Sequence, residues 1–321
     1  MFKFKQKPQD FIVEEKIPYS IGSKGKVFYV FFEKKNKNTM DILHHLMRRL
    51  HLQRNHLGIA WLKDKYGITR QRISIYKNTL SRKWWPSKFL KALSEVAQVL
   101  KYWWGDELLK VGKNTGNLFF LRLRDVDWAV KNGIEKELAL IAKNWFPNFF
   151  GTQRFWRWGE NWKIGKKLIE GSYHKNLPSF EKQFKVQALS SRLFNQYLLA
   201  RIRNFGKDWD NPLEGDLMNE SWIVLGPVYW RDLPLPIEGS QAWKFEEQIL
   251  KDFFGKWLEI LEKFKDFGVF GIRRPILVIP KDLKWKWQNK DLLLMFELPR
   301  GSYATSLVEY LKKKVENNFN Q

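Results

Sequence analysis

Asp64 is a carboxylate whose neighbours could equip it for chemistry. It sits between Lys63 and Lys65, and nearby cations favour the ionised form of a carboxylate. An ionised, partly enclosed carboxylate can act as a nucleophile. The flanking residues suit a loop that would hold it. Leu57, Ile59, Ala60 and Leu62 form an apolar run before it, and Ile68, Ile73, Ile75 and Tyr76 are spaced among polar residues after it. The pattern predicts strand, tight loop, strand over Leu57 to Tyr76. An ordinary Lys-Asp-Lys turn on a solvated loop has the same local composition, because Asp is common in turns.

Other chemistries find less support. His44, His45, His51 and His56 crowd one region, yet they lack a His-Glu-x-x-His arrangement and carboxylates at ligand spacing. No metal site is expected from them. The chain has no Cys, which removes thiolate catalysis, disulfides and Cys-ligated metals. The loop Gly22-Ser23-Lys24-Gly25-Lys26 is short and no helix follows it, so it is no phosphate cradle.

The elements around Asp64 must come from a sizeable core. A chain of 321 residues, 44% hydrophobic, suits one large domain or two moderate ones. Lys plus Arg number 57 against 34 Asp plus Glu, a net charge of +23. That excess is spread along the chain, so it describes a folded basic surface for a polyanion: nucleic acid, or an acidic membrane surface. No apolar run reaches the roughly 18 residues that a membrane helix needs. The segment from Met1 to Phe11 lacks the apolar core of a signal peptide. A cytoplasmic location is expected.

Periodicity predicts strands at Phe11 to Val13, Val27 to Phe32, Leu108 to Val111, Leu118 to Leu123, Ile276 to Ile279 and Leu292 to Leu298. It predicts helices over 40–51, with Thr39 as N-cap, and over 86–101, with Phe89, Leu90, Leu93, Val96 and Leu100 on one face. Further helices are expected from about Val126 to Asn144 and from about Gln241 to Phe254, with a Pro- and Gly-rich loop from Gly226 to Gly239.

The residues Ala60-Trp61-Leu62-Lys63-Asp64-Lys65-Tyr66-Gly67-Ile68-Thr69-Arg70-Gln71 resemble the signature of the TruD family of pseudouridine synthases. The family's catalytic nucleophile falls on Asp64. The resemblance covers nearly the whole chain. The opening Lys5, Pro8, Asp10, Phe11, Val13 and Glu15 match its K-x-x-P-x-D-F-x-V-x-E. Gly116-Asn117-Leu118-Phe119 matches its G-N-x-F, and Pro147 to Phe155 matches its P-N-[YF]-F-G-x-Q-R-F. Leu193-Phe194-Asn195-Gln196 and Glu214-Gly215-Asp216 also fit, as does Leu298 to Thr305 with the closing L-P-x-G-S-[YF]-A-T.

What the resemblance implies is specific. Lys5 or Lys63 keeps Asp64 ionised, which acts at the sugar or at the base. Asn117 contacts substrate, Phe119 lies against the target base, and Phe11 and Tyr303 shape the pocket. A base taken out of its stack needs a π-face to rest on, which gives Phe119 a physical rationale. Each aromatic also reads as a core residue: Phe119 alternates with Leu121 and Leu123 on one strand face.

At five positions the family pattern has glycine and this chain has tryptophan: Trp61, Trp145, Trp156, Trp158 and Trp230. Glycine serves where φ is positive or backbones approach closely, so five independent replacements by Trp are improbable. The expectation is that these codons are UGA, read as glycine in the source organism. Trp285 and Trp287 match aromatic positions and are read as genuine.

The resulting reading is an α+β pseudouridine synthase core, a mixed and mainly antiparallel sheet flanked by helices, with an inserted α/β domain. The core takes residues 1–145 and 265–321, the insertion 146–264. The implied reaction converts uridine to pseudouridine in tRNA, at position 13, with no cofactor and no metal. The expected partner is tRNA, with no membrane, and the chain is expected to be a monomer. The second reading is a non-catalytic RNA-binding or RNA-folding protein of the same fold, with Trp61 blocking the pocket beside Asp64. A membrane-surface protein has only the net charge behind it.

Overall fold

A computed structural model describes residues 1–18, 25–60, 63, 65–79, 85–155, 160–229, 232–256, 258–267 and 271–319. Asp64, Trp61, Trp156, Trp158, Trp230 and the Gly22 to Lys24 part of the early loop lie outside the described residues. In chain order the elements are β1 (Lys3–Phe4), β2 (Phe11–Lys16), β3 (Val27–Lys35), α1 (Thr39–Leu50), β4 (Leu57–Ile59), β5 (Ile68–Tyr76), α2 (Trp85–Ser94), β6 (Gln98–Gly105), β7 (Gly116–Arg124) and α3 (Lys131–Lys143). There follow β8 (Phe146–Pro147), α4 (Asn161–Ile169), α5 (Ser179–Phe205), β9 (Leu225–Val228), α6 (Gln241–Phe254), α7 (Leu258–Lys265), β10 (Ile272–Pro275), β11 (Leu277–Val278), β12 (Lys281–Gln288), β13 (Asp291–Pro299) and α8 (Ala304–Phe319).

The chain forms two compact units. One comprises Met1–Lys143, Pro280–Gly301 and Val315–Gln321; the other comprises Asn144–Ile279 and Ser302–Lys314. Residues 265–279 and 302–314, expected in the core, belong to the second unit.

The first unit is built on a nine-stranded sheet in the order β12-β13-β7-β2-β5-β3-β6, with β1 added to β7 and β4 to β5. The β2–β5 pair is parallel, and the other pairs are antiparallel. The α+β class with a mixed, mainly antiparallel sheet is thus the observed one. Period-2 alternation builds its buried face. Phe11, Val13 and Glu15 of β2, Asn117, Phe119 and Leu121 of β7, and Phe296 and Leu298 of β13 are all buried and meet in register. Over β3 and β5, Phe28, Val30, Phe32, Ile73 and Ile75 pack with Ile42, Leu43 and Leu46 of α1 and Phe89 and Leu93 of α2. At the other end of the sheet, Trp287 Nε1 of β12 donates to Glu135 of α3 at 2.6 Å.

Several expected elements differ. The N-cap of α1 is Asn38, whose side chain accepts from the Met40 N–H at 3.3 Å. Thr39 is the first helical residue, and its hydroxyl is engaged elsewhere, as described below. The helix expected over 86–101 stops at Ser94, and 98–105 is the edge strand β6. Val99 and the Tyr102-Trp103-Trp104 run favour a strand, and Leu100, expected on a buried helical face, is 40% exposed. Leu108 to Val111 is no strand. Leu109 is buried with its N–H on Ser74 Oγ, while Val111 is 65% exposed. The loop expected from Gly226 begins as β9, paired with β10. A two-stranded ribbon has free edges that tolerate Pro227.

The second unit packs helices around α5, whose Leu189, Leu193, Phe194 and Leu198 are buried with Tyr229, Leu250 and Phe264. Two small sheets, β9–β10 and β8–β11, complete it. Arg201 of α5 is fully buried. Its guanidinium donates to Asp216 Oδ2 at 2.8 Å, Tyr197 OH at 2.9 Å and the carbonyls of Trp209 and Asn211. Removing the carboxylate strands a buried cation, which costs about 3–5 kcal/mol. Asp216→Ala is therefore expected to lower the urea stability of the fold by that amount; a loss below ~1 kcal/mol would contradict the role given to this pair. Trp145 is half-buried, lies edge-on to Trp209 with ring centroids 5.0 Å apart, and its backbone is not left-handed. Positive-φ strain therefore does not apply at this one of the five tryptophans.

Candidate active site

The Asp64 loop is held from both sides. Before it, the Lys63 N–H donates to Thr39 Oγ1 at 3.1 Å, and the Gln71 side chain donates to the same oxygen at 3.2 Å. The Gln that closes the Asp64 motif therefore fixes the residue before Asp64 through Thr39. After it, Gly67 has φ of +105° and a Cβ there would lie 2.5 Å from the Phe11 carbonyl oxygen. Both facts exclude any other residue type without a backbone shift.

Five of the seven expected site residues share the first unit. Asn117 and Phe119, two apart on β7, face the same way as Phe11 on β2. Phe119 is 5% exposed, with the Phe296 ring stacked at 5.5 Å and the Phe11 ring tilted at 6.2 Å. Lys5 has φ of +56°, a left-handed backbone, and its Nζ lies 3.9 Å from the centre of the Phe11 ring. Backbone strain of this kind clusters at functional sites. Asp10, the residue before Phe11, is fully buried and clamped by Arg124 of β7 at 2.7 Å and by the Lys7 N–H at 2.8 Å. It serves to seat Phe11.

Lys63 is buried, and its ammonium donates to Asn117 Oδ1. It also lies 3.7 Å from the carboxylate of Glu15. The sequence motif includes Glu15 without assigning it a role, yet Glu15 continues the buried phase of Phe11 and Val13, where an apolar residue is the norm. Burial pushes the Glu15 carboxyl up, against the opposing pull of Lys63 and Arg72. Burial also lowers the Arg72 guanidinium, against Glu15.

Tyr303 belongs to the second unit. The remaining expected residue, Asp64, lies outside the described residues. Among the described residues no group of three or more His, Asp or Glu could hold a metal ion, and no helix is long and apolar enough to cross a membrane.

The statistical model of the family described as tRNA pseudouridine synthase D (TruD) matches residues 2–180 and 237–310. The chain belongs to this family. The tRNA pseudouridine synthase D of Nitratiruptor sp. is 32% identical, covering 96% of this chain and 94% of its own length. That of Pseudoalteromonas atlantica is 29% identical, covering 95% of this chain and 91% of its own length. A solved structure from Methanosarcina mazei assigned to TruD shares the fold at 21% identity, with a TM-score of 0.69 over 97% of this chain and 93% of that one.

Two TruD-like stretches, the Pro147 motif and the closing motif, meet around Arg274 in the second unit. The Arg274 guanidinium is buried, donates to Asn148 O at 3.1 Å and to Asn148 Oδ1 at 2.5 Å, and lies 4.0 Å from the Phe150 ring centre. Burial lowers its pKa to about 10. Tyr303 lies 5.9 Å from both that guanidinium and the Phe150 ring. A Cβ at Gly151 would meet Thr305 Oγ1 at 2.5 Å, so the Pro147 motif and the closing motif approach closely at this glycine.

Proposed function

We propose that this chain isomerises uridine 13 of tRNA to pseudouridine, with Asp64 as nucleophile and no cofactor. The broader statement follows from membership of the TruD family: the chain is a tRNA pseudouridine synthase, an isomerase acting on uridine in tRNA. The reaction breaks the bond between uracil N1 and the sugar C1′, turns the base, and joins C5 to C1′. The hydrogen on C5 is lost to solvent and N1 ends protonated, so no redox partner is needed.

The observation that carries the finer reading is the convergence around the Asp64 loop. Lys63, the residue before Asp64, bonds Asn117 on the sheet face that carries Phe11 and Phe119. Asp64 would attack; Phe119 and Phe11 would line the pocket for the base; Lys5 and Lys63 would supply positive charge near the carboxylate; Tyr303 would contact the tRNA substrate. An aromatic-lined pocket suits a nucleotide taken out of its stack. We place core residues at 1–145 and 265–321 and the insertion at 146–264. The enzyme would work as a monomer in the cytoplasm, with tRNA phosphates held by the surface that gives the chain its net charge of +23.

The test is tritium release from tRNA carrying 5-³H-uridine, since C5 loses its hydrogen only on isomerisation. Release is expected from a transcript with uridine at position 13 and not from one with cytidine there. Equal release from both would move the reaction to another uridine. Binding without release from either would favour the non-catalytic reading.

A further inference from the structure

This inference rests on the assignment of Lys63 and Asn117 to the active site. The buried row on β2 runs Phe11, Val13, Glu15, so a carboxylate stands where an apolar side chain would be expected. Glu15 is fully buried, and Asn117 lies directly opposite it across the β2–β7 pair. Its Oε2 accepts from the Arg72 N–H at 3.3 Å, and its backbone carbonyl accepts from the Arg72 guanidinium. Its carboxylate lies 3.7 Å from Lys63 Nζ. A buried carboxylate is costly unless it is paired and hydrogen-bonded. Continuing the apolar row would avoid that cost, so the charge calls for a reason beyond packing.

The reason lies one contact further on. The Lys63 ammonium donates to Asn117. An ammonium can only donate, so the Asn117 atom it meets is the carbonyl oxygen. The Asn117 NH₂ is thereby turned away from Lys63. We infer that Glu15 is a positioning residue for uridine isomerisation: its carboxylate anchors Lys63, which orients the Asn117 amide to present its NH₂ to a uracil carbonyl. The same anchor secures Lys63 at its side chain while Thr39 secures it at its backbone, so the residue preceding Asp64 is fixed at both ends.

The experiment compares Glu15→Gln, Lys63→Met, the double variant and Asn117→Ala in tritium release from tRNA, with melting temperature measured alongside. Glu15→Gln keeps the shape and removes the charge. It is expected to lower kcat about tenfold or more, the scale of a misplaced active-site group, with KM changed by less than about threefold. The double variant is expected to fall no further than Lys63→Met, because both act through one chain of contacts. Selective ¹⁵N-asparagine labelling gives a second readout: the Asn117 side-chain NH₂ signals should shift in Glu15→Gln. A purely stabilising role would lower the melting temperature and leave kcat per folded molecule and these signals unchanged. A kcat within about twofold of wild type, or losses that multiply in the double variant, would overturn the inference. If Glu15→Gln does not fold, Glu15→Asp carries the test, keeping the charge but withdrawing it from Lys63; an unchanged kcat overturns the inference there too. Full activity in Asn117→Ala would instead overturn the site assignment beneath it. Inactive Asn117→Ala beside fully active Glu15→Gln would remove this inference alone.

Discussion

Asp64→Asn is expected to remove tritium release while leaving tRNA bound. Asn matches Asp in size but carries no charge and is no nucleophile. Loss of a nucleophile is typically worth about 10⁴-fold or more in rate, or roughly 5.5 kcal/mol of transition-state stabilisation. Binding draws on the Lys and Arg surface, and removing one negative charge from a site that meets a polyanion does not weaken that attraction. The dissociation constant is therefore expected to stay within about threefold of wild type at fixed salt, because a single neutralised site changes few phosphate contacts. The flanks of the loop should keep their shape, since the Lys63 N–H is bonded to Thr39 and Gly67 is fitted against Phe11. Filter binding and single-turnover release on the same preparation separate the two quantities. Retained release would remove Asp64 from the nucleophile's role, and lost binding would make it a structural residue.

Strand alternation made much of the sheet legible. Phe119, Leu121 and Leu123 read as one buried face, and that face is the one that meets Phe11 and Phe296. Helical spacing misled at 86–101, because Val96 and Leu100 happen to continue the α2 period while the chain has already turned into an edge strand. Capping chemistry was off by one residue at Thr39, since Asn38 and Thr39 are both good caps and only the tertiary partner Lys63 distinguishes them. For Glu15 the motif supplies the residue without a role, and only its phase with Phe11 and Val13 on β2 marks it as buried. The cluster of Arg274, Asn148, Phe150 and Tyr303 brings the Pro147 motif to residues more than a hundred positions further along the chain. No local periodicity encodes such a meeting; the motifs name Asn148, Phe150 and Tyr303 without saying that they meet, and Arg274 stands in none of them.

A chain with glycine at positions 61, 145, 156, 158 and 230 is expected to be more stable and more active than the chain with tryptophan there. A bulky residue at a position built for glycine costs about 1–3 kcal/mol in backbone strain, and overpacking costs about 1–3 kcal/mol where space is also lacking. With Trp145 set aside, four such sites would sum to ~4–12 kcal/mol from strain alone, the same size as the whole stability of a typical domain. Four tryptophans at sites built for glycine are therefore not compatible with a folded enzyme, so either the codons encode glycine or each site has been rebuilt. Trp145 has the character of a rebuilt site, half-buried against Trp209 with a backbone that any residue adopts. Reverting it alone should gain little, and the gain is expected from the other four together. Urea unfolding and tritium release on the two versions decide between the cases. A higher midpoint and faster release in the glycine version, with UGA at these codons, would establish recoding. UGG codons and full activity in the tryptophan version would make the tryptophans native and would predict an adapted neighbour, like Trp209, beside every one of them.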